Sequence, residues 1–250
     1  MAYIVVTNDD GVDAPGICML AQAMKAFGDV QVIAPAVNQS ASGHKKTLFT
    51  DIPFKHTQLA DGTPAMAIHG SPADCIAVAA LGAIRWAPDL VVSGINRGAN
   101  MGQDITYSGT VTAALEASIH GVPAIAFSLD QHDANHPTHY QEAARVAHAI
   151  VKNILGRKLP PFTILNVNIP PVNQVKGIRL TRQGLREYLD ELEKTDSVYR
   201  IVGDPPGGRL DEEGTDLWAV ANGYVSITPL HLDMTAHQFM ADVANWDLSV

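Results

Sequence analysis

The sequence predicts an α/β protein, a mostly parallel, doubly wound (Rossmann-like) sheet with a C-terminal β-hairpin/helix extension. Three observations point there. Short continuous runs rich in Val and Ile, such as residues 3–7 and 30–34, read as strands buried on both faces. Segments of helical periodicity separate them. Aromatic residues make up only 6% of the chain, which disfavours a sandwich built on aromatic strand faces.

Taken in order, the first run ends at Asn8-Asp9-Asp10-Gly11, a strand stopping at a turn. A helix follows, because Ile17, Leu20, Ala21, Met24 and Phe27 recur at helical spacing between Pro15 and Gly28. Residues 30–34 and 65–68 are further strands, and Pro72 opens an apolar helix through Leu81. Residues 90–92 form a strand that leads into a Gly- and Asn-rich loop over 94–102. Helix over 110–120, strand over 124–127, helix over 141–155 and strand over 163–167 complete the alternation. After Pro170-Pro171 the pattern changes: 187–196 is strongly acidic, 204–208 reads as a loop, and 217–220 with 224–227 read as paired strands around Asn222-Gly223. The expected division is an α/β core over 1–170 carrying the site and an extension over 171–250. A projecting ribbon there leaves an exposed edge, so the extension is expected to join subunits.

At 250 residues and 46% hydrophobic content, the chain has apolar material for one large core. A formal charge of −9, with no local Lys/Arg cluster, excludes a nucleic-acid polymer as partner. No apolar run approaches the ~18 residues that span a bilayer, so no membrane partner is expected. The first ten residues lack a basic leader, and Cys18 and Cys75 sit in apolar stretches without metal-type spacing, as buried free thiols would. A cytoplasmic location is expected.

In an open parallel sheet the loops after the strands meet along one edge, where ligands bind. The polar residues there are Asn8, Asp9, Asp10, Asn38, Ser40, Asn96, Asn100, Ser128 and Asp130. They are hard oxygen donors, and two adjacent carboxylates repel until a cation such as Mg²⁺, Mn²⁺ or Ca²⁺ joins them. An ordinary Asx-rich turn is the plainer account of Asn8–Gly11. Ser108-Gly109-Thr110 precedes a helix whose free amides favour an anion, with a simple N-cap as the alternative. His132, His136 and His139 fall in a polar, Pro-containing loop near the cleft rim. Glu116 and His120 read as an i,i+4 pair on one helix face.

Thr7-Asn8-Asp9-Asp10-Gly11, Asn38-Gln39-Ser40, Gly70-Ser71-Pro72-Ala73-Asp74-Cys75, Ser93-Gly94-Ile95-Asn96-Arg97-Gly98 and Tyr107-Ser108-Gly109-Thr110-Val111 resemble, in order and spacing, the motifs of the SurE survival-protein family. Residues 223–230, Gly-Tyr-Val-Ser-Ile-Thr-Pro-Leu, resemble its C-terminal signature. Ala99 and Ala41 depart from residues frequent in that family, and neither is a proposed ligand. The resemblance implies a SurE-like fold and a phosphomonoesterase acting on nucleoside 5′- and 3′-monophosphates, with short polyphosphate as a further substrate of some members. It implies one divalent ion per subunit, Mg²⁺ or Mn²⁺ with Ca²⁺ as another occupant, held by Asp9, Asp10, Ser40 and Asn96. It also implies an exchanged C-terminal element and a homodimer or homotetramer.

On this reading Asp9 and Asp10 are catalytic, and Asn96, Ser108, Gly109 and Thr110 hold the phosphate. Direct attack by water competes with a covalent aspartyl-phosphate route through Asp9 or Asp10. The rival class is a Mg²⁺-binding phosphoacceptor or a nucleotide-binding module without turnover. A phosphoacceptor needs an Asp and a Lys where Ser93-Gly94 and Ser128-Leu129 stand.

Overall fold

The computed structural model describes residues 1–248. The first part of the chain forms β1 (Ala2–Thr7), α1 (Pro15–Met24), β2 (Gly28–Pro35), β3 (Phe54–Gln58), β4 (Pro64–Ile68), α2 (Pro72–Val78), β5 (Leu90–Arg97), α3 (Gly109–Ile119), β6 (Ala124–Leu129), α4 (Gln141–Ile154) and β7 (Thr163–Ile169), the alternation expected from the sequence with β3 added. The region beyond adds β8 (Ile178–Leu180), β9 (Arg186–Lys194), β10 (Tyr199–Gly208), α5 (Asp216–Ala221), β11 (Val225–His231) and α6 (His237–Val243).

One nine-stranded sheet has the order β3-β4-β2-β1-β5-β6-β7-β11-β8. β1 pairs in parallel with both β2 and β5, so the chain winds one way through β2 and β4 and the other way through β5, β6 and β7. The order therefore reverses at β1, and a crevice opens at the carboxyl ends of β1 and β5. Alternate residues of β1 feed the two faces. Ile4 and Val6 pack with Ile17, Leu20, Val146 and Ile150 of α1 and α4, whereas Tyr3 and Val5 pack with Cys75, Ile76, Val111 and Ala114 of α2 and α3. Cys18 and Cys75 are buried free thiols.

The C-terminal region departs from the expected hairpin. Residues 217–220 lie in α5, which Thr215 caps by accepting from the Trp218 amide at 3.2 Å, and Asn222-Gly223 ends that helix. An Asn-Gly pair suits a helix end as well as a hairpin turn, because both use a glycine at positive φ, here 80° for Gly223. Residues 224–227 fall at β11, which enters the main sheet antiparallel to β7 and parallel to β8. The projecting ribbon is β9–β10 instead, and the segment read as a loop over 204–208 pairs there, Asp204 with Leu189 and Gly208 with Arg186. Both strands are solvated along most of their length, so they carry no buried-face alternation to read. The edge strand β3 was also missed, for the same reason. No helix among the described residues is long and apolar enough to cross a membrane.

Candidate active site

The reversal at β1 brings the candidate residues together. A cavity of about 350 Å³ is lined by Asp9, Ser40, Asn96, Asn100, Ser108 and neighbours from the same loops. Asp9 follows β1, Ser40 the loop after β2, Asn96 stands near the end of β5, and Ser108 precedes α3.

Asp9 is 3% exposed and accepts a hydrogen bond from the Thr110 hydroxyl. Burial pushes its carboxyl up to about 6, against the pull of Thr110 and with a further push from Asp10. Gly109 makes this approach possible, since a Cβ there would lie 2.7 Å from Cβ of Asp9. Asp10 turns aside. Its Oδ2 accepts from the Arg97 amide at 2.9 Å, and it lines a neighbouring cavity of about 260 Å³ with Asp13, Arg97 and Tyr140. Burial raises its carboxyl too, and the Arg97 amide and guanidinium oppose that.

Asn96 reaches the edge because β5 bulges against β6 between Ser93 and Asn96. Gly94 permits this at φ 132°, where a Cβ would sit 2.2 Å from the Phe127 carbonyl oxygen. The Asn96 amide nitrogen donates to the Gly98 carbonyl at 2.8 Å, which leaves its side-chain oxygen to serve a ligand. Ser108 acts as the N-cap of α3, its hydroxyl accepting from the Val111 amide at 3.1 Å. Ser40 is exposed, with its amide held by the Asn38 side chain at 2.7 Å.

Other residues flagged at this edge serve as braces. Asn100 donates from its amide to Asn168 at 2.7 Å and from its side chain to Ser128 at 2.8 Å. Its carbonyl accepts from Asn166 and Asn168 at 2.8 and 2.9 Å, fixing the 94–102 loop to β7. The three histidines do not cluster. His132 lines the main cavity and lies against Gly98, His136 caps a short 3-10 turn, and His139 faces a different cavity. Tyr107, the first residue of the motif over 107–111, also lines the main cavity, as does Asp104, which the sequence reading did not single out. Asp104 carries the signal of an ion pair to Arg186 at 2.9 Å, but 82 residues separate them.

Among the described residues no Lys, Arg or His forms an ion pair with Asp9 or Asp10; the Arg97 guanidinium acts on Asp10 only, and no cation acts on the buried Asp9. Two carboxylates, a hydroxyl and an amide oxygen are a hard donor set, and they fit a hard divalent cation rather than a thiolate- or imidazole-preferring metal. No group of three or more His, Cys, Asp or Glu with metal-binding placement exists among the described residues, so any such ion relies on the neutral oxygens of Ser40 and Asn96 as well.

A family model described as survival protein SurE matches residues 4–190. The chain belongs to the SurE family. It is 48% identical over 244 residues to the 5′-nucleotidase SurE 1 of Thermus thermophilus, covering 95% of this chain and 94% of that one. It is 44% identical over 255 residues to the 5′/3′-nucleotidase SurE of Escherichia coli, covering 99% and 97%. Among solved structures, the SurE protein of Aquifex aeolicus matches with a TM-score of 0.82 and 41% identity, covering 96% of this chain and 98% of that one. The SurE likeness runs through the extension as well as the core, so it spans both parts of the chain that the sequence divides.

Proposed function

We propose that this chain is a divalent-metal-dependent phosphomonoesterase that hydrolyses nucleoside 5′- and 3′-monophosphates to nucleoside and phosphate. The observation that carries the reading is the buried, uncompensated Asp9 beside Asp10, Ser40 and Asn96 at the sheet's reversal point, facing the first turn of α3. Relatives bearing nucleotidase names across nearly the full chain supply the substrate class.

Asp9, Asp10, Ser40 and Asn96 would hold the ion. When bound, Mg²⁺ or Mn²⁺ supplies Lewis acidity toward the phosphoryl oxygens and a water of lowered pKa. Thr110 fixes the orientation of Asp9, which is therefore committed to binding and poorly placed as a nucleophile. Asp10 is less enclosed, and its Oδ1, left free because Oδ2 accepts from the Arg97 amide, takes up the proton of the attacking water as the new P–O bond forms and returns it to the leaving nucleoside oxygen as the ester P–O bond breaks. The amide of Gly109 and the side chains of Asn96 and Ser108 orient the phosphate, helped by the positive end of α3. This is direct water attack, with no phosphoenzyme.

Assembly follows from the extension. α6 has no buried residue, and Phe239, Met240, Trp246 and Leu248 are exposed, as are Leu189, Leu192 and Ile201 on the ribbon. These apolar groups find a second copy of the chain, giving a homodimer or homotetramer. The site opens to water on a protein expected in the cytoplasm. The deciding experiment is phosphate release from 5′-AMP and 3′-AMP by chelator-treated protein with and without added Mn²⁺. Release only with the metal supports the reading, and no release under any metal overturns it.

A further inference from the structure

Ser40 sits on the segment between β2 and β3, residues 36–53, which contains neither helix nor strand. Such a segment keeps an oxygen in place only if other groups fix it. Its first part is tied to the site: the Gln39 amide donates to the Asp9 carbonyl at 2.7 Å, and the Gly43 amide to the Tyr107 carbonyl at 3.0 Å. Its far part is tied to α2, where the Asp74 carboxylate accepts from the Thr47 amide at 2.7 Å. Between these lies Glu116.

Glu116 stands on α3, two turns beyond Thr110, and its side chain is 3% exposed. Its Oε2 meets His44 Nε2 at 3.0 Å, and its Oε1 meets Lys46 Nζ at 2.9 Å. His120, four residues along the same helix, lies at 3.2 Å, as the i,i+4 reading expects. The two stronger partners come from the Ser40 segment. A carboxylate this deeply enclosed needs compensation. His44 and Lys46 provide it, and in return they are held to the helix. The Thr112 hydroxyl, one turn nearer the site on the same helix, donates to the Gly43 carbonyl at 2.9 Å. One helix thus carries both the Ser108–Thr110 turn and the attachment of the segment that bears Ser40.

We propose that Glu116 is a positioning residue for the metal-ligand segment: through His44 and Lys46 it latches the turn carrying Ser40 to α3. The inference rests on the reading of Ser40 as a ligand of the divalent ion. Glu116 touches no reacting atom on this account, and its effect passes entirely through Ser40.

The test uses Glu116→Ala and Lys46→Gln, each alone and combined with Ser40→Ala, with hydrogen exchange on metal-free protein and Mn²⁺ titration by calorimetry. Either single change should speed exchange of amides 39–47 about tenfold while α4 stays as protected as in the parent. Mn²⁺ affinity should fall about tenfold, the lower end of what loss of a ligand's supporting group costs. Lys46→Arg, which restores the pair, should keep parental values. In a Ser40→Ala background neither change should weaken Mn²⁺ further, because the two residues act as one unit. Unaltered exchange over 39–47, or a loss of affinity that adds in full to that of Ser40→Ala, overturns the proposal. If Glu116→Ala does not fold, Lys46→Gln decides by the same readings. A parent that binds Mn²⁺ but releases no phosphate overturns the nucleotidase reading, and the latch still stands on exchange and affinity.

Discussion

Replacing Asp9 by Asn separates a metal ligand from a turn residue by stability as well as by rate. The Asp9 carboxyl, ordinarily at 3.8, is raised to about 6 by burial, so the folded, metal-free protein keeps the proton to higher pH than the unfolded chain does. The Asp9 contribution to metal-free stability is therefore fully present below pH 4, declines as pH rises from about 4 to about 6, and is lost above that. At ~1.4 kcal/mol per pH unit, the ionised Asp9 costs the metal-free fold roughly 3 kcal/mol at pH 8. Asn has the same shape and still accepts from Thr110, but its new amide hydrogens need partners, so about 1–3 kcal/mol of that is recovered. For a chain of this size each kcal/mol moves the midpoint by roughly 2–4 °C. In EDTA at pH 8, Asp9→Asn should therefore melt several degrees above the parent, and its stability should lose less than the parent's between pH 4 and 6, because the Asp9 component of the decline is gone. Adding Mn²⁺ reverses the order. At a hundredfold excess over Kd the parent gains ~2.7 kcal/mol, whereas the variant gains almost nothing and its turnover falls by on the order of 10²-fold. Scanning calorimetry across this pH range, with and without Mn²⁺, reads every term. A variant that melts below the parent in EDTA refutes the buried-charge argument, and one that gains as much from Mn²⁺ refutes the ligand assignment.

Four further outcomes follow from the same geometry. Exhaustive chelation should abolish phosphate release and Mg²⁺ or Mn²⁺ should restore it, while full activity in metal-analysed, chelated protein would contradict the oxygen-donor site. Asn96→Ala removes a neutral ligand and a phosphate contact together, so KM should rise and kcat fall, each by about tenfold or more in steady-state assays. Glu116 is pulled down to about 2 because the bonds from His44 and Lys46 outweigh its burial; its contribution of roughly 2–3 kcal/mol is present above pH 4.5 and lost as pH falls toward 2, so acid unfolding of Glu116→Gln should lack that component. Leu189→Lys with Ile201→Lys puts charge on the exposed ribbon and should yield monomers by light scattering, and an unchanged mass would remove the ribbon from the interface.

The core was legible because its strands obey a rule that survives without neighbours in view. Residues such as 3–7 are apolar on both faces, and their ends carry the polar residues that the winding brings to one edge. Asp9, Ser40, Asn96 and Ser108 do line one cavity. Two features at that edge were hidden. Asp10 shares the Asn-Asp-Asp-Gly turn with Asp9, but the Arg97 amide, 87 residues away, draws its side chain into the adjacent cavity. Glu116 looked like a helix pair with His120, because the partners that enclose it, His44 and Lys46, lie 72 and 70 residues earlier in the chain. Sequence spacing reports contacts within an element and is silent about partners that the winding delivers.

The extension failed for a different reason. Periodicity is legible when a chain buries one face against itself, and β9, β10 and α6 bury almost nothing against their own subunit. Leu189, Leu192 and Ile201 are exposed along the ribbon, and Phe239 of α6 meets Trp246 just beyond it, edge to face at 5.6 Å. The local signals that remained were turn chemistry, and Asn222-Gly223 satisfies both a hairpin and a helix end. Thr215, three residues before Trp218, was the deciding mark, since its side chain caps a helix by accepting from the Trp218 amide. The buried Asp216 adds a second anchor, accepting from the Gly102 and Gly184 amides at 2.9 and 2.7 Å. Through it the base of the ribbon is fastened to the 94–102 loop beside the candidate site, a long-range tie that no local sequence signal announces.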